Sequence, residues 1–309
     1  GLEFNWPFHH RPSTYMPVNF TTETEPDGTA ITWLSECDPT DRTRSTIGIV
    51  LHPDSAFFET RIQVTNRTAL RHSFLMWQNA AVAVNDDYQF IFPPDVNYAN
   101  NHYSMGKPSV NYPMAHGAYG SANYDEPIDI SWYKNCHDAT SHFAAPSKYD
   151  FFGGYDHGKK AGVIHVANHH ISPGKKMFTW GCKELAARWE EALTDSDGRY
   201  CELMAGSYSD NQPDFTWLNA YETKEFSQFW YPIGGIGKVS FATLEGAVRV
   251  DLTGGKLIVQ TTKARKGLRA ILKIKEQILF DGTCDTEPCK PITLNFPSAE
   301  GMYSIALYD

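Results

Sequence analysis

Along much of this chain apolar and polar side chains alternate with a period of two, as in strands that bury one face and wet the other. In the stretch Phe57 to Thr65, Phe58, Ile62 and Val64 stand against Glu59, Arg61 and Gln63. With Ser45 to Leu51 before it and Pro53-Asp54-Ser55 between, this reads as a β-hairpin. Ser73 to Val84 is apolar on both faces, as in a strand covered on two sides. Tyr88 to Phe92 follows a tight Asn85-Asp86-Asp87 turn. Further strands are predicted at Ala161 to Ile171, Lys176 to Cys182 and Tyr221 to Ile233. One short helix is predicted from Glu184 to Leu193, with Leu185, Trp189 and Leu193 on one stripe and the turn Asp195-Ser196-Asp197-Gly198 closing it. The predicted fold class is all-β.

Residues 93 to 130 are rich in Pro, Asn, Gly and Tyr, show little periodicity and read as a long loop excursion. Gly234-Gly235-Ile236-Gly237 lacks both the spacing of a phosphate loop and a helix after it, and reads as a linker. Beyond it the composition shifts, with Lys and Arg clustered between 256 and 275 among short β-branched strands. The expected organisation is one large β domain over residues 1–237 and a small β-sandwich-like domain over 238–309, its basic stretch a solvated face.

A chain of 309 residues with 41% hydrophobic and 20% charged residues folds around a core rather than staying disordered. The net charge of -9 opposes non-specific attraction to nucleic acid or anionic lipid. No run of 18 apolar residues occurs, so neither nucleic acid nor a membrane is an expected partner. The sequence opens on Gly1 in a motif-dense stretch and reads as a cut or processed piece, which leaves a removed export signal open. Of the six cysteines only Cys284 and Cys289 are close in sequence. Two more ligands would be needed nearby for zinc, so no metal and no cofactor are expected, although an oxidising compartment would allow a small loop disulfide.

The chemistry-bearing residues concentrate in a few places. In Tyr200 to Ala205, Cys201, Leu203 and Ala205 project one way and Glu202 and Met204 the other. A carboxylate on so apolar a strand costs free energy unless it is paired or used. The polar turn Ser209 to Pro213 follows. The opening stretch packs Glu3, Trp6, His9, His10 and Arg11 together, as either a polar cleft with aromatic walls or an exposed terminus. His165 and His169 on one strand would stand roughly 13 Å apart, too far to share an ion, so each is a ligand-bonding or a structural histidine. Asp156-His157 lies among glycines, as a loop tip or a binding element. No serine-hydrolase elbow, zinc-protease helix motif or Walker sequence occurs.

Taken in order, Gly1-Leu2-Glu3-Phe4-Asn5-Trp6-Pro7, Tyr155-Asp156-His157-Gly158, Pro173-Gly174-Lys175-Lys176, Trp180-Gly181, Asp210-Asn211-Gln212-Pro213-Asp214 and Phe226-Ser227-Gln228-Phe229-Trp230-Tyr231-Pro232 resemble the bacterial domain-of-unknown-function family numbered 5107. The resemblance covers about residues 1 to 235. It implies a galactose-mutarotase-like β-supersandwich, often joined to tetratricopeptide repeats further along the protein, in the cytoplasm or periplasm of a bacterium.

A weaker resemblance is to aldose 1-epimerases, whose catalytic-base Glu sits on a strand running on to an Asn-Gln-Pro turn. It implies Glu202, ahead of Asn211-Gln212-Pro213, as base or nucleophile. Those enzymes present an Asn-His pair as general acid where this chain has Trp77-Gln78-Asn79, and sugar-ring opening needs a proton donor as well as a base.

The expected function is therefore glycosidase-like or epimerase-like catalysis on a mono- or oligosaccharide bound to one sheet face. Glu3, His169 or Asp210 would act as the acid, Glu3 first because paired carboxylates suit glycoside cleavage. His10, Arg11, Trp77, His157, His165, Gln212 and Trp230 would line the sugar site. The alternative is a non-catalytic carbohydrate-binding module of a larger repeat protein.

Overall fold

The computed structural model describes residues 1–11, 16–101, 109–144, 146–194, 196–209 and 214–309. Strands begin at once: β1 (Leu2–Asn5), β2 (Asn19–Thr24), β3 (Ala30–Cys37), β4 (Thr43–Leu51) and β5 (Phe58–Asn66). β4 and β5 form the predicted hairpin, with Leu51 opposite Phe58 at its tip. β6 (His72–Phe74), β7 (Met76–Ala83) and β8 (Tyr88–Ile91) follow.

The span expected to be loop contains four short strands, β9 (Tyr98–Asn100), β10 (Ser109–Asn111), β11 (Met114–Tyr119) and β12 (Ala122–Asp129). β9 and β10 are too short to show an alternation, and β11 carries a register shift between Ala115 and Gly117 that interrupts its own. The chain continues through β13 (Thr140–Ala144), β14 (Phe151–Asp156), β15 (Ala161–Val166), β16 (Gly174–Thr179), α1 (Glu184–Leu193), β17 (Tyr200–Ser207), β18 (Thr216–Leu218) and β19 (Thr223–Gly234).

Two antiparallel sheets stack face to face. One has seven strands in the order β1-β7-β17-β16-β13-β9-β10, the other eight in the order β2-β3-β4-β5-β19-β15-β14-β8. Cys201, Leu203 and Ala205 of β17 and Met177 of β16 meet Phe152 and Trp230 of the facing sheet in one apolar cluster. Truncating a side chain as buried as Leu203 to Ala would cost about 2–5 kcal/mol. Polar groups that enter this layer are bonded across it. Gln78 of β7 donates to Thr60 Oγ1 of β5 at 2.8 Å and accepts from Trp230 Nε1 at 3.2 Å.

The remaining strands are β20 (Phe241–Thr243), β21 (Gly246–Asp251), β22 (Lys256–Thr261), β23 (Arg265–Ile274), β24 (Gln277–Thr286), β25 (Ile292–Asn295) and β26 (Tyr303–Tyr308). They form a four-stranded sheet, β20-β21-β22-β25, and a three-stranded one, β24-β23-β26, around Leu257, Val259, Ala270 and Leu272. Ile236 of the glycine-rich connection is fully buried, and with Val239, Ala242 and Ala247 it packs on Phe151, Tyr155 and Ile164 of the eight-stranded sheet. The connection is thus apolar cement as well as a link. Exposed pairs such as Arg269–Asp281 and Lys266–Asp285 neutralise the basic stretch. All six cysteines are free thiols, Cys284 and Cys289 included.

The helix spans the residues the sequence predicts, but its apolar stripe does not face the core. Leu185, Trp189 and Leu193 are 52%, 41% and 54% exposed, and Ala186 is its buried residue.

Candidate functional site

Register brings the two acidic candidates together. Glu3 of β1 stands opposite Asn79 of β7, and Asn79 opposite Met204 of β17. Glu202 lies two residues along β17 from Met204, so Glu3, Asn79 and Glu202 share the face turned away from the second sheet. Strand spacing places the two glutamate Cα atoms about 12 Å apart. Both residues line one cleft of ≈300 Å³, together with Asn79, Ala81 and Tyr200.

Asn79 Nδ2 donates to Glu202 Oε2 at 3.3 Å. Behind them Lys176 of β16, opposite Met204, is buried with its ammonium 4.6 Å over the ring of Phe143. Burial pushes the Glu202 carboxyl above its ordinary range and the neighbouring Glu3 charge adds to this, while Lys176 and the Asn79 bond pull the other way. Burial lowers Lys176 to about 7 against the attraction of Glu202. A carboxyl in the cleft and an ammonium beneath it therefore both exchange protons closer to neutrality than free side chains do.

Trp77 lies on the same sheet face, outside the lining of the cleft. It stands opposite Gly206, and Gly206 opposite Gly174. A Cβ at Gly206 would come within 2.4 Å of Trp77 Cζ2, and one at Gly174 within 2.8 Å of its Cη2. The two glycines thus make the slot that the indole fills, with Phe143 edge-on at 6.0 Å. Trp77 is fully buried there, so it cannot stack on a sugar as expected; it supports the sheet face instead.

Several other expected site residues lie elsewhere. His165 and Trp230 face each other across β15 and β19 and alternate inward, so both are buried between the sheets on the face away from Glu202, and Trp230 borders a separate cavity of ≈410 Å³ with Phe58 and Val163. His165 Nε2 bonds Gln228 Oε1 at 2.8 Å, and Gln228 donates to Ser172 and Ser207. Since that oxygen only accepts, Nε2 carries the proton, and burial holds the ring neutral down to about 3. His157 sits after β14 of the eight-stranded sheet, bonded to Gln89 Oε1 at 3.0 Å and with its ring 4.9 Å from that of Trp132.

His169 is tied to Asp150 Oδ1 at 2.7 Å in the turn after β15. That turn meets the end of β17 through the Tyr208 N–H to Ile171 carbonyl bond. Glu202 is near the other end of the strand, about 20 Å away at about 3.3 Å per residue. His169 is therefore not positioned to serve Glu202 as its acid. Arg11 is ion-paired with Glu36 and lines a neighbouring cavity of ≈240 Å³ that also reaches Glu3. His10, in a left-handed turn at φ 54°, is exposed beside His9. Asp210 and Gln212 lie outside the described residues.

The sequence reading did not put Asn79, Lys176 or Tyr200 in the site. The only signal for them was parity: each lies on Glu202's face once the strand register is known.

The architecture is all-β, two stacked antiparallel sheets followed by a smaller pair. A family model described as "Domain of unknown function (DUF5107)" matches residues 1–233, and one described as "YphG-like protein, second domain" matches residues 241–309. Among solved structures, a tetratricopeptide-domain-containing protein from Parabacteroides distasonis is similar at 18% identity and a TM-score of 0.63. The match covers 75% of this chain and 37% of that one, so the chain spans well under half of its length. The Slr1438 protein from Synechocystis sp. PCC 6803 matches at 9% identity and a TM-score of 0.50, covering 75% of this chain and 78% of that one. A galactose mutarotase related enzyme from Lactobacillus acidophilus matches at 10% identity and a TM-score of 0.47, covering 77% and 84%.

Proposed function

The chain belongs to the domain-of-unknown-function family DUF5107, and for the cleft it carries we propose glycosidase-like or epimerase-like chemistry on a bound sugar. The observation that carries this reading is the convergence of Glu3 and Glu202, from separate strands, on one cleft. Glu202 is the base or nucleophile: Lys176 and Asn79 favour its ionised form, and its partly buried setting strengthens it as a base. Glu3 is the acid, since glycoside cleavage sets two carboxyl groups across one site and Glu3 lines this cleft with Glu202. Lys176 supplies positive charge beneath Glu202 without itself lining the cleft.

A second reading, a carbohydrate-binding module without turnover, draws support from one observation. His157, His165 and His169 are each held by Gln89, Gln228 or Asp150 away from Glu202, which leaves Glu3 as the acid among the described residues. Association with tetratricopeptide repeats in a longer protein fits either reading.

Product analysis on free aldoses and on oligosaccharides across pH 4 to 9, with the parent and Glu3→Gln, separates the two. The catalytic reading expects turnover by the parent and a loss of about 10²–10⁴-fold in Glu3→Gln with sugar binding kept. Sugar binding by both proteins with turnover by neither leaves only the module.

A further inference from the structure

Tyr200 precedes Glu202 by two residues on β17, shares its face and lines the same cleft. Its hydroxyl accepts a hydrogen bond from Trp180 Nε1 at 3.0 Å. Trp180 lies parallel to Trp189 of α1, the ring centroids 4.5 Å and the planes 13° apart. Phe178 braces Trp180 edge-on at 5.1 Å. A run of aromatic rings thus leads from the cleft out onto the helix, where Trp189 remains exposed although an amphipathic stripe ordinarily turns inward. Glu190, on the helix face of the buried Ala186, pairs with Arg199 at 3.4 Å, so it turns away from the exposed ring.

We propose that this aromatic run is a second sugar subsite, so that the ligand of the Glu202 cleft is an oligosaccharide of at least two units. The inference rests on the reading of the cleft as a saccharide site. At ≈300 Å³ the cleft stands at the lower end of small-molecule pockets, which suits one sugar unit and leaves the rest of a chain outside. A pyranose carries C–H groups on its face and hydroxyls around its rim. Trp189 takes the face. An isolated apolar stripe would not need the bond that ties the rings to Tyr200.

Calorimetric titration with glucose, galactose and mannose and their linear dimers to hexamers, in α and β linkage, tests this. At least one series should bind about tenfold more tightly as the dimer than as the monomer. Trp189→Ala should cancel that gain and leave the monomer's Kd unchanged, while Trp189→Phe keeps part of it. Leu193→Ser, on the same stripe, should leave every Kd unchanged. Near-UV circular dichroism checks that the variants are folded. Equal affinity for monomers and longer chains, or a length gain that survives in Trp189→Ala, overturns the subsite and leaves the cleft reading standing. Failure of every sugar to bind the parent overturns the cleft reading itself, and the subsite with it.

Discussion

Asn79 of β7 donates its side-chain amide to Glu202 of β17 across 3.3 Å, from the strand that also pairs with Glu3. It thereby fixes one carboxylate while standing directly opposite the other. The bond favours the charged form of Glu202, so removing it raises a carboxyl that burial has already raised. In Asn79→Ala the acidic limb of the pH–rate profile on a turned-over sugar should move to higher pH. An unmoved limb would mean that Glu202 does not control it.

Lys176 gives a prediction about stability. Its ammonium is held at about 7 in the folded protein and returns to its ordinary value near 10.4 on unfolding. Between those values the unfolded chain binds more protons, so this residue makes stability rise with pH there. Below about pH 7 the full cost of burying the charge is present. Denaturant unfolding at several pH values should show Lys176→Met gaining most on the parent below pH 7, with the gain shrinking toward pH 10. A difference independent of pH would contradict the buried ammonium.

The slot for Trp77 is equally specific. A methyl at Gly206 would overlap the indole, so Gly206→Ala should destabilise by about 1–3 kcal/mol, read as a lower urea midpoint with an altered tryptophan emission. A neutral substitution would show that Trp77 does not rest on Gly206.

Strand alternation was enough to place Glu202 on one face and Cys201, Leu203 and Ala205 on the other, and this held. It could not say which strands become neighbours. Glu3 joins Glu202 only because β7 is inserted between β1 and β17, a pairing over long sequence separations that local pattern does not encode. Trp77 is on Glu202's face, but its indole lies over two glycines of other strands and packs with Leu75 and Phe143, fully buried. Lys175 and Lys176 are both buried, Lys175 on the inner face with Ala205 and Lys176 on the outer face with Met204 and Phe143. His165 and Trp230 share a parity with each other, yet parity does not say which face is inner. For α1 the periodicity found the stripe correctly but could not fix the direction in which the helix presents it.

His165 provides a control for the whole placement. His165→Ala removes the partner of Gln228 and opens space beside Trp230, which should cost about 2–4 kcal/mol of stability. Calorimetry on the folded variant should give the parent's sugar affinity. A selective loss of affinity would return this histidine to the binding site.

The convergence of two carboxyl groups on a saccharide cleft is tested most directly by titrating the sugar and oligosaccharide panel into the parent and Glu202→Gln side by side, with product analysis of each mixture. The expected result is comparable Kd values, conversion of at least one sugar by the parent, and loss of that conversion in the variant. Conversion by Glu202→Gln at the parent's rate, or sugar binding that leaves Glu202 untouched, would contradict it.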